Sequence, residues 1–153
     1  SVIDQRAFVR RLLPNASAKA MVFDLDELLA TSSSDGIGLL AGYAADGWLL
    51  FAHAWRPQVA GGQLTTEAVN AELALAPETL GVDIEIAVCP HDAGPPICWC
   101  RKPLPGSLLD FAVRRGIDLS RSVMMASSSA DRTMASRLGM RASVHPSRPD
   151  PGA

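Results

Sequence analysis

Short runs rich in apolar and β-branched residues alternate along the chain with segments whose apolar positions recur at helical spacing. The runs 20–25 (AMVFDL), 48–54 (WLLFAHA), 83–89 (DIEIAVC), 122–127 (SVMMAS) and 140–145 (MRASVH) predict strands, several of them apolar enough to be covered on both faces. The segments between them carry helix ends. Residues 36–46 stop at Gly47, 66–75 start after Thr65, and 105–115 start at Pro105 and stop at Gly116. Residues 128–138 stop at Gly139, and Ser128 and Asp131 have the spacing of a capping box at their start. Strand and helix in alternation imply parallel strands joined by crossovers, hence an open α/β sheet. Such sheets bind ligands beyond the carboxyl ends of their strands. That rule selects Asp24 to Glu27, Ala54 to Arg56, the stretch from Cys89 onward, and Ser127 to Asp131. The expected organisation is a short amphipathic helical segment over 1–19, one domain over 20–145, and a frayed tail over 146–153.

Composition narrows the classes. With 153 residues and 48% hydrophobic content the chain can bury one good core and is too short for two ordinary domains. The formal net charge is -2 and the basic residues are scattered, so no footprint for gripping a nucleic-acid backbone is present. No apolar run approaches the roughly 20 residues of a membrane span, and the start of the sequence lacks the basic-then-apolar profile of a secretory signal. A cytoplasmic protein with no membrane partner is expected.

All three cysteines fall within CPHDAGPPICWC, residues 89 to 100. Three thiols cannot all pair within one chain, and a reducing cytosol disfavours disulfides. Cys89 and His91, then Cys98 and Cys100, supply three thiolates and one imidazole, the number and softness of a closed tetrahedral zinc site. Gly94, Pro95 and Pro96 form a turn that folds the loop back between the two pairs. Four protein ligands leave no open position for substrate, so the expected role is structural.

At the end of the first predicted strand, VFDLDELL sets Asp24 and Asp26 two residues apart. One such carboxylate can attack phosphorus while the other gives and takes a proton, although a polar strand end has the same spelling. This Asp-x-Asp, the Arg101-Lys102-Pro103 that follows the cysteine loop, and SRSVMMASSSADRTMASRLGM together resemble the haloacid dehalogenase (HAD) superfamily. They are most similar to its zinc-containing branch of heptose bisphosphate and histidinol-phosphate phosphatases. The resemblance implies a HAD-like, Rossmann-like sheet with helices on both faces and a zinc loop in place of a large cap domain. It implies that Asp24 is the nucleophile, Asp26 the general acid and base, and Lys102 the cation that steadies the transferring phosphoryl group. Arg101 becomes a substrate contact, and Asp24 and Asp131 ligands for magnesium; Arg56, a charge at a different position from the second motif's hydroxyl, is a compensating substrate contact.

The sequence also departs from that pattern. Glu27 stands where the first motif has glycine, Ala54 where the second has a hydroxyl, and Ser127 where the fourth has a magnesium-binding carboxylate. LLATSSSDG takes the place of a longer segment that contacts sugar substrates. Ser127, Ser128 and Asp131 are open to a second use, helix capping alone. The expectation is a degenerate phosphatase domain, a zinc-stabilised binding or scaffold domain with room for a protein partner. The alternative is an active magnesium-dependent phosphatase of a small phosphorylated metabolite.

Overall fold

The computed structural model describes residues 9, 11, 13, 15–30, 34–93, 98–100, 102, 104–126 and 128–143. Its elements run β1 (Ala20–Asp24), α1 (Leu25–Ala30), α2 (Ser34–Ala45), β2 (Leu49–Trp55), α3 (Thr66–Ala74), α4 (Ala76–Leu80) and β3 (Glu85–Cys89). There follow α5 (Gly106–Arg115), a 3-10 turn (Leu119–Arg121), β4 (Val123–Met125), α6 (Ser129–Leu138) and β5 (Arg141–Ser143).

The five strands form one sheet in the order β3-β2-β1-β4-β5, and every pairing is parallel. The chain steps from β1 outward through β2 to β3, then crosses to the other side of β1 for β4 and β5. A reversal of this kind opens a crevice between β1 and β4 at the carboxyl edge, where open α/β sheets take their ligands.

Side-chain alternation sorts the strands into two cores. Ala20, Val22 and Phe51 meet Leu108, Phe111 and Ala112 of α5 and Met134, Ala135 and Leu138 of α6 on one face. Met21, Phe23, Leu50, Ala52 and Ala54 meet Leu25, Leu28, Leu40, Tyr43, Val69 and Leu73 on the other. Helices therefore cover both faces, as the apolar strands require.

The expected helix ends hold. Thr65 caps α3 by accepting from the Ala68 N–H at 3.0 Å, and Ser128 caps α6 by accepting from the Asp131 N–H at 3.2 Å. Gly116 and Gly139 end α5 and α6 at φ 65° and 72°, a left-handed conformation that glycine adopts without the cost of a Cβ.

Two helices were not expected. α1 follows β1 without a loop, so Leu28, Leu29 and Ala30 are helical rather than part of a connection. Its start is capped by Asp24, whose Oδ1 accepts the Glu27 N–H at 3.0 Å, and its Leu25 and Leu28 are buried. α4 follows α3 with only Leu75 between them and carries Pro77 in its first turn.

Four of the five strands are shorter than their apolar runs, β3 beginning at Glu85 and β4 ending at Met125, while β2 keeps its length and lies one residue later. Most of the expected amino-terminal helix and all of the expected tail lie outside the described residues, although Val9 is buried in the first core. Among the described residues no helix is long and apolar enough to cross a membrane.

Candidate functional site

Three carboxyl edges bring the sequence-selected residues together. β1 delivers Asp24, the segment after β3 delivers Lys102, and α6 delivers Asp131 from its first turn. The Lys102 ammonium bridges the two acids, with Nζ donating to Asp24 Oδ2 at 3.0 Å and to Asp131 Oδ1 at 2.5 Å. Asp131 is 2% exposed, so this contact replaces part of the hydration its carboxylate gives up. Burial alone would lower the Lys102 pKa; the Asp131 and Asp24 carboxylates outweigh it, and the pKa rises. Lys102 is therefore charged across the physiological range.

A second cation-centred cluster lies beside the first. Arg56, 7% exposed at the end of β2, donates from Nη1 to Asp26 Oδ2 at 2.6 Å and from Nη2 to Asp26 Oδ1 at 2.9 Å. Nη2 also reaches Glu72 Oε1 of α3 at 3.0 Å, and Nη1 reaches the Trp55 carbonyl at 2.9 Å. Its pKa goes up, chiefly through the bonds to Asp26, then against burial and with the help of Glu72. Both oxygens of Asp26 are thus held by one guanidinium in the bidentate geometry that makes such pairs strong.

The cysteine loop closes the other end. Cys89 Sγ lies 3.5 Å from Cys98 Sγ and 3.7 Å from His91 Nδ1, and His91 Nδ1 lies 3.2 Å from Cys100 Sγ. All four ligand atoms fall within 4.8 Å of one another. A tetrahedral metal site of three sulfurs and one nitrogen has edges of about 3.6–3.8 Å, so the set fits a metal ion with small adjustment. Burial, then the neighbouring thiols, push the Cys100 pKa up to about 12, and burial also raises that of Cys89. Metal binding must therefore displace protons.

Neighbouring groups hold this loop in place. The indole N–H of Trp55 donates to the His91 carbonyl at 2.8 Å, and the Arg56 N–H donates to the Cys89 carbonyl at 2.8 Å. At the start of α5 the Gly106 N–H donates to the Trp99 carbonyl at 2.8 Å. A Cβ at Gly106 would stand 2.5 Å from that oxygen, so only glycine permits the approach.

Asp24 and Lys102, together with Cys89 and Cys100 of the thiol loop, line one cavity of about 340 Å³. Trp55, Ala54, Ala87, Ser128, Ala130 and His53 complete its wall. His53 was not anticipated. It is 6% exposed, its Cα pairs with that of Asp24 across the β1–β2 ladder, and its ring meets Phe51 edge-on at 5.1 Å. Burial first, then the Lys102 charge, lower its pKa to about 4, so it is neutral at pH 7. The sequence signal for it was a histidine inside the apolar run WLLFAHA, two residues from Phe51 on the same face of the strand.

Arg101, Ser127 and the turn at Gly94, Pro95 and Pro96 lie outside the described residues. Ala54 presents no hydroxyl to the cavity.

The chain superposes on D,D-heptose 1,7-bisphosphate phosphatase from B. bronchiseptica, complexed with magnesium and phosphate, with a TM-score of 0.66 and 23% identity. That match covers 82% of this chain and 79% of the other. A candidate HAD-like phosphatase from Mesorhizobium loti matches with a TM-score of 0.72 and 22% identity, over 82% of this chain and 70% of the other. This is the HAD-like phosphatase fold. No protein-family model matches the chain, and no curated protein matches it by sequence. The HAD-like fold accounts for the parallel sheet and for the gathering of Asp24, Lys102 and Asp131 at its carboxyl edge.

Proposed function

We propose that this chain is a HAD-type phosphatase domain with weak or no hydrolytic power, which binds a small phosphorylated metabolite beside Asp24 and Lys102. A zinc ion on Cys89, His91, Cys98 and Cys100 fixes the loop that frames the cavity. In the fold's chemistry Asp24 would attack phosphorus, Asp26 would move the proton, and Lys102 would neutralise charge on the phosphoryl group. The observation that carries the degenerate reading is the double grip of Arg56 on Asp26. A proton arriving on Asp26 must displace a hydrogen bond from a guanidinium that is never deprotonated, and a carboxylate so held is a poor proton shuttle.

Two further features support it. Ala54 supplies no hydroxyl for a phosphate oxygen. Asp131, a candidate magnesium ligand with Asp24, is already engaged by Lys102, and Ser127 brings no charge. Magnesium would thus be held by fewer carboxylates than it normally finds, and weakly. Arg101 adjoins Lys102 in sequence and is a candidate substrate contact. Where hydrolysis is lost altogether, the domain serves as a zinc-stabilised binding or scaffold unit in the cytoplasm.

The test is a screen of phosphorylated metabolites and aryl phosphates with added magnesium, run beside Asp24→Asn as the blank. Turnover at or near the blank is expected. Wild-type turnover of about one per second or more that vanishes in Asp24→Asn would make this a working phosphatase and overturn the degenerate reading. Elemental analysis of protein purified without chelator should find one zinc per chain; three freely titratable thiols and no zinc would remove the metal from the reading.

A further inference from the structure

Among the described residues the Nε2 of His53 is a buried side-chain polar atom with no hydrogen-bond partner. Folded proteins seldom leave such an atom unpaired, and where they do a bound water, an ion or a ligand generally explains it. Packing does not require an imidazole here. Phe51 stacks on Phe111 with centroids 4.5 Å apart, His53 sits edge-on to Phe51, and a third phenyl ring would complete this aromatic layer with nothing unpaired. A polar ring in that place calls for a partner from outside the chain.

The surroundings indicate which partner. His53 lines the same cavity as Asp24, Lys102, Ser128 and the thiols of Cys89 and Cys100. The Lys102 charge is already matched by two carboxylates, so a ligand bearing a phosphoryl group finds few free donors there. A neutral imidazole adds an N–H without adding another cation. A half-turn about χ2 exchanges Nε2 with a ring carbon, so the nitrogen can be turned without moving the strand.

We infer that His53 is a ligand contact that donates a hydrogen bond to an oxygen of a phosphate monoester in this cavity, standing in for the hydroxyl missing at Ala54. The inference rests on the phosphate-binding reading above and names a recognition residue for it.

Inorganic phosphate is titrated into the full chain while the imidazole ¹H and ¹⁵N resonances are followed by NMR. The chain has three histidines, and the signal absent from His53→Phe identifies this one. The wild-type His53 resonance is expected to shift and saturate. His53→Phe should fold with an equal or higher Tm and bind phosphate about tenfold more weakly, about 1.4 kcal/mol. His53→Gln keeps a donor and should recover part of the affinity. Equal phosphate affinity in wild type and His53→Phe, with no shift of the His53 signal, overturns the contact and leaves the phosphate reading standing. Absence of saturable phosphate binding by the wild-type chain overturns both. If His53→Phe does not fold, the wild-type resonance and His53→Gln decide the matter.

Discussion

Two clusters of one cation and two carboxylates lie at the carboxyl edge of the same sheet, and they are built for different work. Lys102 touches one oxygen of Asp24 and one of Asp131, through a flexible stem and a point charge that any neighbouring oxygen can share. Arg56 closes a planar fork on both oxygens of Asp26 and has a hydrogen left over for Glu72. The first arrangement leaves a nucleophile-type carboxylate with lone pairs to offer. The second immobilises its carboxylate. They also differ in burial: Asp131 is almost wholly enclosed, whereas the Asp26 and Glu72 side chains are 50% and 52% exposed. The Lys102 cluster is thus a structural keystone as well as a candidate site, and the Arg56 cluster is a surface clamp with one buried member.

Metal removal should separate them most sharply. Lys102 stands two residues beyond Cys100, so the geometry of the thiol loop decides where its ammonium can reach. Chelation, or Cys98→Ser, is expected to release the loop and with it the bridge between Asp24 and Asp131, while Arg56 keeps Asp26. A loss of more than about 5 kcal/mol, or roughly 10 °C or more in Tm, is expected for a chain of this size. Elemental analysis with calorimetry measures both, and a zinc-free chain of unchanged Tm would show that the loop does not support the cluster.

Lys102→Met attacks the same cluster from its centre. It takes the ammonium contact away from the buried Asp131 carboxylate, for which about 3–5 kcal/mol of destabilisation is expected by denaturant unfolding. Lys102→Met with Asp131→Leu should restore much of that, because an apolar pair needs no compensation. A single variant as stable as wild type would mean that water already reaches Asp131.

These two clusters and the thiol loop were not equally readable in the sequence. The thiol loop was the plainest, because all four candidate ligands fall within residues 89 to 100 and turn residues separate the pairs. The α/β sheet was readable too, since its apolar runs and helix ends are local features; Gly116, Gly139, Thr65 and Ser128 act where local rules put them. The α1 helix was not, because its cap is Asp24, a residue singled out for chemistry rather than structure. The Arg56 clamp was hidden because its partners lie 30 and 16 residues away, and nothing local announces such a pairing. Gly106 was hidden for the same reason: the need for it comes from Trp99 across a loop. His53 reads as one more residue of a strand until the cavity beside it is known.

The same histidine gives a pH signature that neither cluster shares. Its pKa falls from 6.5 in the unfolded chain to about 4 in the folded one, so between those values the unfolded state binds more protons. The contribution is fully present above pH 6.5 and is lost as pH falls through about 4. It amounts to at most about 3 kcal/mol. Stability measured by denaturant at a series of pH values, with zinc saturating, should fall more steeply for wild type than for His53→Phe. Zinc loss and carboxylate protonation are largely common to both chains, so the difference isolates the imidazole. Parallel curves would mean that the ring is solvated in the native state.

The Arg56 clamp offers the smallest change in stability and the most direct comparison with the Lys102 cluster. Arg56→Gln frees two carboxylates that are already half exposed, so water takes over their hydrogen bonds and the ion pairs contribute little net stability. The buried stem and the bond to the Trp55 carbonyl are partly kept by glutamine. A cost of about 1 kcal/mol is expected, well below that of Lys102→Met. The effect on chemistry should run the other way. With the fork gone, Asp26 can accept and return a proton, and turnover of an aryl phosphate with magnesium should rise above wild type, with Asp24→Asn,Arg56→Gln as the blank. The rise will be modest, because Ala54 and Ser127 still withhold a hydroxyl and a carboxylate. An Arg56→Gln chain that is folded, binds phosphate and remains at the blank would place the defect in those two positions rather than in the clamp.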